Sequence, residues 1–203
     1  GIATAPADPW IASASERLRT EAERVIAHLE EGGAATDPAI AASLEAVNAG
    51  SARLNDLVFA QASSFWESGR LVGLVGGDHS TPLGLMRAVA ARMAGEGRDF
   101  GILHIDAHAD LRVAYEGFAY SHASIMYNAL QLPEVSRLVQ VGIRDFCGAE
   151  VELAADSQGR VVQFDDYTLA RNAFEGLSWG TQCASIVDRL PENVYVSFDI
   201  DGL

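Results

Sequence analysis

The residues best suited to chemistry in this sequence are three metal-ligand types in one short run. Asp106, His108 and Asp110 alternate with small residues directly after the apolar run 100–103. In an extended segment, alternate side chains point to the same side, so these three would face a common site. A cation held there would find three donors.

Two other stretches have the same form, in which an apolar run ends in ligand types. The run 71–75 leads to His79, and the run 194–198 leads to Asp199 and Asp201. The three stretches together offer four carboxylates and two imidazoles. That set is too large for one tetrahedral zinc, and it suits two octahedral-leaning divalent ions that share carboxylates. The best single assignment is a pair of manganese ions.

A lone aspartate after a strand is usually a turn former or a helix cap. A cluster of carboxylates is different, because neighbouring carboxylates repel and raise one another's pKa unless a cation neutralises them. Four such groups at adjacent strand ends therefore favour a metal site over isolated structural roles.

Size and composition indicate an ordinary globular domain. The chain has 203 residues, 49% of them hydrophobic, which is enough for a substantial core. A formal charge of -14 argues against nucleic acid and anionic membrane surfaces as partners.

Cys147 and Cys183 stand alone, which is typical of free thiols in a cytoplasmic protein. No membrane-length apolar run or signal-peptide pattern occurs. The chain starts with Gly1, so we expect a trimmed or partial product.

The N-terminal part of the chain predicts helices over about 13–68. Ser13 or Ser15 is the expected cap of a first amphipathic helix, and Asp37 with Pro38 marks the start of a second, longer one. We therefore expect a helical segment ahead of the region that carries the candidate ligands.

From residue 71 onward, short apolar runs alternate with helical stretches, which is typical of a parallel sheet covered on both faces. The predicted strands are 71–75, 100–105, 137–142, 160–164 and 194–199, and the predicted helices between them are 83–94, 123–131, 147–155, 167–174 and 182–190. No linker divides the chain, so residues 1–203 form one predicted α/β domain whose metal-binding sheet region spans about 71–203. Ligands of such sheets bind beyond the carboxyl ends of the strands, where all the candidate ligands fall.

The three stretches resemble the signature motifs of a known family. Gly-Gly-Asp-His-Ser at 76–80, Asp-Ala-His-Ala-Asp at 106–110 and Ser-Phe-Asp-Ile-Asp at 197–201 look like the motifs of the ureohydrolases, which include arginase, agmatinase, guanidinobutyrase and formimidoylglutamase. The resemblance runs from about residue 44 to the end of the chain. It implies a three-layer α/β/α fold that is incomplete at the C-terminus, and a homotrimer or homohexamer.

The resemblance also implies a binuclear centre of two Mn2+ ions per subunit. One ion would be held by His79, Asp106, Asp110 and Asp199, and the other by Asp106, His108, Asp199 and Asp201. Asp106 and Asp199 would then bridge the ions, which together lower the pKa of a bridging water. The implied reaction is attack of that hydroxide on the carbon of a guanidinium or amidine, followed by loss of an amine.

The departing amine needs a proton, and the resemblance implies two residues for this task. Asp110 is the family's candidate acid, and His122 matches the position of its proton-shuttling histidine. A structural role is also open, since Ser121 and His122 could simply cap the helix that follows. His104 lies deeper in its strand, so we expect a buried, hydrogen-bonded histidine rather than a ligand.

The candidate substrate-binding residues are Arg112, Asp145 and Glu150. Arginases commonly have an asparagine where this chain has Arg112, and Arg112 suggests a substrate tail with a carboxylate, as in guanidino acids or formiminoglutamate. Alternatively, Arg112 neutralises Glu116 or the acidic rim. Asp145 and Glu150 match two acidic positions of the family, whereas Cys147 replaces a third.

Three functions therefore stay open. The leading one is a manganese-dependent hydrolase of linear guanidines or amidines that releases urea, or formamide if it acts as a formimidoylglutamase. A related zinc amidohydrolase of the histone-deacetylase type would normally have a His-His pair, which this sequence lacks. The third alternative is a noncatalytic metal-binding subunit, which would keep the metal ligands but lack the residues that bind a substrate.

Overall fold

The core of the fold is a four-stranded parallel sheet. The computed structural model describes residues 2–203. The strands are β1 (Phe100–Ile105), β2 (Val135–Val141), β3 (Val161–Phe164) and β4 (Val194–Phe198), in the spatial order β3-β2-β1-β4. Every neighbouring pair is parallel. The carboxyl ends of the strands therefore meet at one edge, as the sequence pattern predicted.

Seven α-helices accompany the strands in the described residues: α1 (Pro9–Glu30), α2 (Pro38–Glu67), α3 (Leu83–Gly95), α4 (Ile125–Leu130), α5 (Gly148–Asp156), α6 (Asp166–Phe174) and α7 (Trp179–Val187). Two single turns of 3-10 helix lie at His122–Ser124 and Ile200–Gly202. Helices follow strands along the chain from β1 onward, which is the crossover pattern that parallel pairing requires.

Apolar side chains cover both faces of the sheet. On one face, Ile102 and Leu138 pack in a cluster with Met86 of α3. On the other face, Val139 packs with Ile186 of α7. The fold is thus a three-layer α/β/α sandwich, because successive residues of each strand point to opposite helical layers.

Helix α1 starts earlier than the sequence predicted. Asp8 is its cap and accepts a hydrogen bond from the Trp10 N–H at 2.8 Å, and Pro9 occupies the first turn. The expectation that Ser13 or Ser15 caps this helix is wrong. Ser13 instead donates to the Trp10 carbonyl from inside the helix. An aspartate before a first-turn proline is the stronger start signal, since proline needs no N–H partner there.

The predicted strand at 71–75 is absent. These residues form no ladder with any strand, although Val72 and Leu74 pack against the cluster between α2 and α3. Leu71 and Val75 are almost fully exposed. Apolar alternation is enough for an extended backbone, but a strand also needs a neighbour to pair with, and none of the described residues supplies one. The other four predicted strands are confirmed with boundaries that differ by at most two residues.

Candidate metal centre and cleft

Two of the three ligand-bearing stretches are anchored by hydrogen bonds that continue the sheet. The Asp106 N–H donates to the Val141 carbonyl at 3.1 Å, and the Asp199 N–H donates to the Ile105 carbonyl at 2.9 Å. The backbone of each aspartate is therefore held in place just beyond its strand. Parallel pairing of β1 with β4 brings these two distant stretches side by side.

The first cluster of candidate ligands surrounds His79. Its Nδ1 atom lies 2.9 Å from Oδ2 of Asp106, 2.9 Å from Oδ2 of Asp110 and 3.7 Å from Oδ2 of Asp199. The Asp106 and Asp110 side chains are only 1% and 4% exposed. Two buried carboxylates and one imidazole nitrogen thus face one point, with Asp199 slightly farther away.

The second cluster lies nearer to solvent. Nδ1 of His108 is 3.4 Å from Oδ1 of Asp106 and 3.2 Å from Oδ2 of Asp201. Asp106 therefore belongs to both clusters and presents a different carboxylate oxygen to each. The structure brings all six predicted ligands together, and Asp106 lies between the two groups.

Asp110 reaches the first cluster through an unusual backbone conformation. Its φ is 54°, in the left-handed region that few residues other than glycine adopt. Its carbonyl accepts hydrogen bonds from the N–H groups of Met126 and Tyr127 at 3.0 and 3.2 Å. These bonds hold the strained turn that directs the Asp110 carboxylate inward.

The chemistry of the first cluster fits a bound cation. Nδ1 of His79 is buried and has no hydrogen bond among the described residues, although two carboxylate oxygens face it. Burial opposes a charge on His79, but Asp106 and Asp110 outweigh it and raise the pKa of His79 to about 10. Burial also opposes the charge of Asp106, yet His104 and His79 hold its pKa well below the usual range. Both shifts have the same cause, which is the attraction between buried carboxylates and a neighbouring positive charge.

His104 is buried and hydrogen-bonded, as predicted. Its side chain is fully buried, and Nε2 lies 2.8 Å from Oδ2 of Asp106. A histidine that hydrogen-bonds the carboxylate of a candidate ligand restricts the orientation of that carboxylate.

The two clusters lie at a cleft of about 350 Å³. All the residues predicted for catalysis, metal binding and substrate binding line it: His79, Asp106, His108, Asp110, Arg112, His122, Asp145, Glu150, Asp199 and Asp201. Five further lining residues were not among the predicted site residues: Asp78, Ala109, Tyr115, Ala123 and Phe146. The lining includes seven carboxylates and one guanidinium, so it would stay negative even around two divalent cations.

His122 is an exposed residue of the cleft. Ser121 provides the local cap, since its Oγ accepts from the Ala123 N–H at 3.3 Å. His122 therefore does not serve as the cap. Its ring lies edge-on to Tyr115, with the ring centres 5.9 Å apart. The imidazole is exposed and lines the cleft, so it would be accessible to a molecule bound there.

Glu150 forms part of the wall of the cleft. Its carboxylate accepts hydrogen bonds from the N–H groups of Leu111 at 2.9 Å and Cys147 at 2.8 Å. Nε of Arg112 lies 3.8 Å from the same carboxylate, and the Arg112 guanidinium lies 5.2 Å from the centre of the Tyr115 ring. The acidic group beside Arg112 is thus Glu150, whereas the alternative stated above named Glu116 or the rim. The Arg112 side chain remains 38% exposed.

Asp145 lies at the rim of the cleft. Its side chain is 74% exposed, and its Oδ2 atom lies 3.9 Å from Nε2 of His108. The Asp145 carbonyl accepts from the Ala109 N–H at 3.2 Å, which ties the turn after β2 to the ligand stretch. A positively charged group entering the cleft would meet this carboxylate early.

Comparison with known protein sequences identifies the family that the three motifs resemble. A sequence model described as the Arginase family matches residues 7–203. An N(1)-aminopropylagmatine ureohydrolase of Thermus thermophilus is 35% identical over 147 residues, which cover 72% of this chain and 45% of that protein. A mitochondrial arginase 1 of Oryza sativa is 34% identical over 157 residues, which cover 74% of this chain and 42% of the relative.

Solved structures show the same fold. An arginase from Medicago truncatula has a TM-score of 0.61 and 31% identity, and the match covers 79% of this chain and 48% of that one. An agmatine ureohydrolase of Thermoplasma volcanium has a TM-score of 0.56 and 27% identity, with coverages of 72% and 45%.

A three-layer α/β fold with histidine and aspartate clusters at the carboxyl ends of its strands defines a class of proteins with a candidate metal site at the edge of the sheet. Within that class, the chain belongs to the arginase family, the ureohydrolases. It spans less than half the length of the relatives described above. Among residues 2–203, no helix combines the length and apolar character needed to cross a membrane.

The shared position of Asp106 predicts how metal content responds to mutation. We expect the unmodified protein to retain two Mn2+ ions per chain after gel filtration, and His108→Ala to retain one. Asp106→Ala should lower the occupancy of both sites, because one carboxylate serves both. Asp145→Asn, which changes a rim carboxylate outside both clusters, should retain two. Elemental analysis measures the content, and equal losses for His108→Ala and Asp106→Ala would contradict the shared role.

Proposed function

We propose that this protein is a manganese-dependent hydrolase that cleaves a C–N bond of a guanidino substrate and releases urea. The observation that carries the proposal is the pair of ligand clusters that share Asp106 at the cleft. Oxygen and imidazole donors in such an arrangement suit Mn2+. When bound, the ions would supply positive charge to polarise the substrate and lower the pKa of a water molecule.

The cleft residues would divide the remaining work. The negative lining attracts a guanidinium cation and excludes anions that lack another partner. Hydrolysis adds one water to the guanidinium, and the products are urea and a protonated amine. Asp110, at the buried end, is the proposed proton donor within the cleft, and His122 is the proposed proton carrier to solvent.

The substrate tail would reach the rim. Asp145 is exposed there and would bind a cationic tail, as the name of the Thermus relative, N(1)-aminopropylagmatine ureohydrolase, suggests. Arg112 supports a second candidate, an acidic tail, because its guanidinium remains partly exposed beside the cleft. That candidate includes guanidino acids and formiminoglutamate, whose hydrolysis would release formamide. Glu150 would then contribute indirectly, because its carboxylate lies 3.8 Å from Nε of Arg112 and would help to orient the guanidinium.

The reaction test compares products with and without metal in the complete protein. We expect urea from agmatine, arginine or guanidinobutyrate when Mn2+ is present, and loss of turnover after chelation. Formamide from formiminoglutamate would support the second candidate. Retained Mn2+ without any product from these four compounds would contradict the proposal and favour a noncatalytic metal-binding subunit.

His122 predicts a separable effect on turnover. We expect His122→Asn to lower kcat about a hundredfold with KM nearly unchanged, because proton transfer by a positioned side chain contributes at that scale. His28→Asn is the matched control, since His28 lies on α1 and does not line the cleft. Steady-state kinetics over a range of pH values measures both. Equal kcat values for the two variants would contradict a proton-carrying role.

Arg112 predicts which tail the cleft accepts. If Arg112 binds a carboxylate, Arg112→Ala should lower kcat/KM for guanidinobutyrate by about tenfold or more relative to agmatine, since a charged hydrogen bond would be lost. Arg87→Ala, which removes a surface arginine that pairs with Asp56, is the control. An unchanged ratio of the two kcat/KM values would contradict carboxylate binding by Arg112. The role of Arg112 would then be limited to its contacts with Glu150 and Tyr115.

A homotrimer or homohexamer and a cytoplasmic location also remain proposals, supported by the family resemblance and by the free-thiol composition. Light scattering on the complete protein measures the assembly. The negative charge of the chain supports a small cationic substrate over nucleic acid.

A further inference from the structure

Four polar side chains cross the sheet in one line beneath the metal centre. Gln163, Gln140, His104 and Ser197 are register partners on β3, β2, β1 and β4, in that spatial order. We refer to these four residues as the transverse polar row. Gln140 and His104 are fully buried and Ser197 is 5% exposed, so most of the row lies inside the protein.

The row lies against an apolar interior. The register partners two residues earlier along the four strands are all apolar: Val161, Leu138, Ile102 and Tyr195. They belong to the core cluster that packs under α3 and α4, or contact it. Apolar side chains would also fit at the four positions that the transverse polar row occupies. Buried polar groups there lower stability unless every one of them is hydrogen-bonded. Packing of the core alone therefore does not account for the row.

The orientation of the Gln140 amide follows from its neighbours. Its Nε2 atom donates to the Ala109 carbonyl at 2.6 Å, and a carbonyl can only accept. The Gln140 nitrogen must therefore face that side, and its second N–H points to Nδ1 of His104 at 2.9 Å. Oε1 of Gln140 accepts from Nε2 of Gln163 at 2.9 Å. Every hydrogen-bonding group of the Gln140 amide is used.

This arrangement determines the tautomer of His104. Because Nδ1 accepts a hydrogen bond from Gln140, the N–H group of the ring lies at Nε2. That N–H donates to Oδ2 of Asp106 at 2.8 Å. The carboxylate shared by the two clusters is thus held from behind by a ring of defined orientation.

The other end of the row contacts the first cluster directly. Oγ of Ser197 lies 2.8 Å from Nε2 of His79, whose Nδ1 faces the carboxylates of Asp106 and Asp110. With a proton on Nε2, His79 would donate to Ser197 and keep Nδ1 available as a ligand. The row therefore reaches one imidazole and one carboxylate of the same centre.

We propose that the transverse polar row is a positioning device for the metal centre, in which Gln140 sets the tautomer and orientation of His104, and His104 fixes the shared carboxylate of Asp106. None of the row residues would contact the substrate. The proposal rests on the metal binding proposed above, and its tests separate the two ideas. Gln140 additionally restrains the ligand stretch through the Ala109 carbonyl.

The first test examines the metal-free protein, so it does not depend on bound ions or on activity. Nitrogen-15 NMR of the imidazoles should show a His104 proton on Nε2 and none on Nδ1, and this signal should disappear in His104→Gln, which assigns it. In Gln140→Leu, the Nε2 proton should exchange with solvent faster, because the ring has lost its second anchor. A proton on Nδ1 in the unmodified protein would overturn the proposal.

The second test measures Mn2+ affinity by titration calorimetry. Gln140→Leu should weaken binding about tenfold, the scale at which partners of metal ligands act. Gln182→Leu is the matched control, because Gln182 is also a buried glutamine but lies on α7, on the opposite side of the sheet. It should change affinity by less than about twofold. His104→Gln, which keeps an amide donor, should bind Mn2+ more tightly than His104→Leu.

Thermal unfolding shows whether each variant is folded before its affinity is compared. If Gln140→Leu does not fold, Gln163→Leu replaces it, since Gln163 is exposed and its loss frees only Oε1 of Gln140. We expect a weakening of a few-fold for that variant. Equal affinities of the row variants and the Gln182→Leu control would overturn the positioning role, whereas no Mn2+ binding by the unmodified protein would overturn the proposed function itself.

Discussion

The burial of the Asp106 carboxylate is the constraint on which the rest of the site depends. A carboxylate that is 1% exposed loses its hydration, and this loss is costly unless positive charge or hydrogen bonds replace it. In this protein His104 donates to Asp106 from behind, and His79 and His108 face its two oxygens. Each of these contacts also helps to define a place where a positive charge is favourable.

The parallel sheet explains how such a concentration of charge can be stable. Sheet hydrogen bonds continue through Asp106 and Asp199, so the ligand backbones are part of the ladder rather than of free loops. The strained turn at Asp110 is held by the first N–H groups of α4. Rigid support of this kind keeps like charges at short distances, where mobile loops would let them separate.

The centre and the cleft wall follow different physical requirements. The proposed metal centre would need donors at short, defined distances, and the same donor set would suit any guanidino substrate. The cleft wall would need only to match the charge of the substrate tail, and single residues such as Arg112 and Asp145 would change that match. Family membership therefore defines the site chemistry more closely than the substrate, particularly as the chain spans less than half of the relatives described above.

The sequence by itself determined the features that depend on local pattern. Short apolar runs between helical stretches predicted strands β1 to β4. The aspartates and histidines that follow such runs predicted the six clustered candidate ligands, and the deeper position of His104 in its strand predicted its burial. The family could be inferred because its motifs are contiguous stretches. The missed cap at Asp8 was also a local feature, in which the Asp-Pro signal outweighed the two serines.

Only the tertiary structure decided the features that depend on neighbours far away in the chain. The stretch 71–75 has a strand-like sequence but no strand beside it, and pairing cannot be deduced from one segment alone. The shared position of Asp106 follows from the distances of His79 and His108 to its separate oxygens. The partnership of Gln140 with His104 depends on the register between β2 and β1. Side-chain periodicity shows which face a residue occupies, whereas long-range packing determines which residue it meets there.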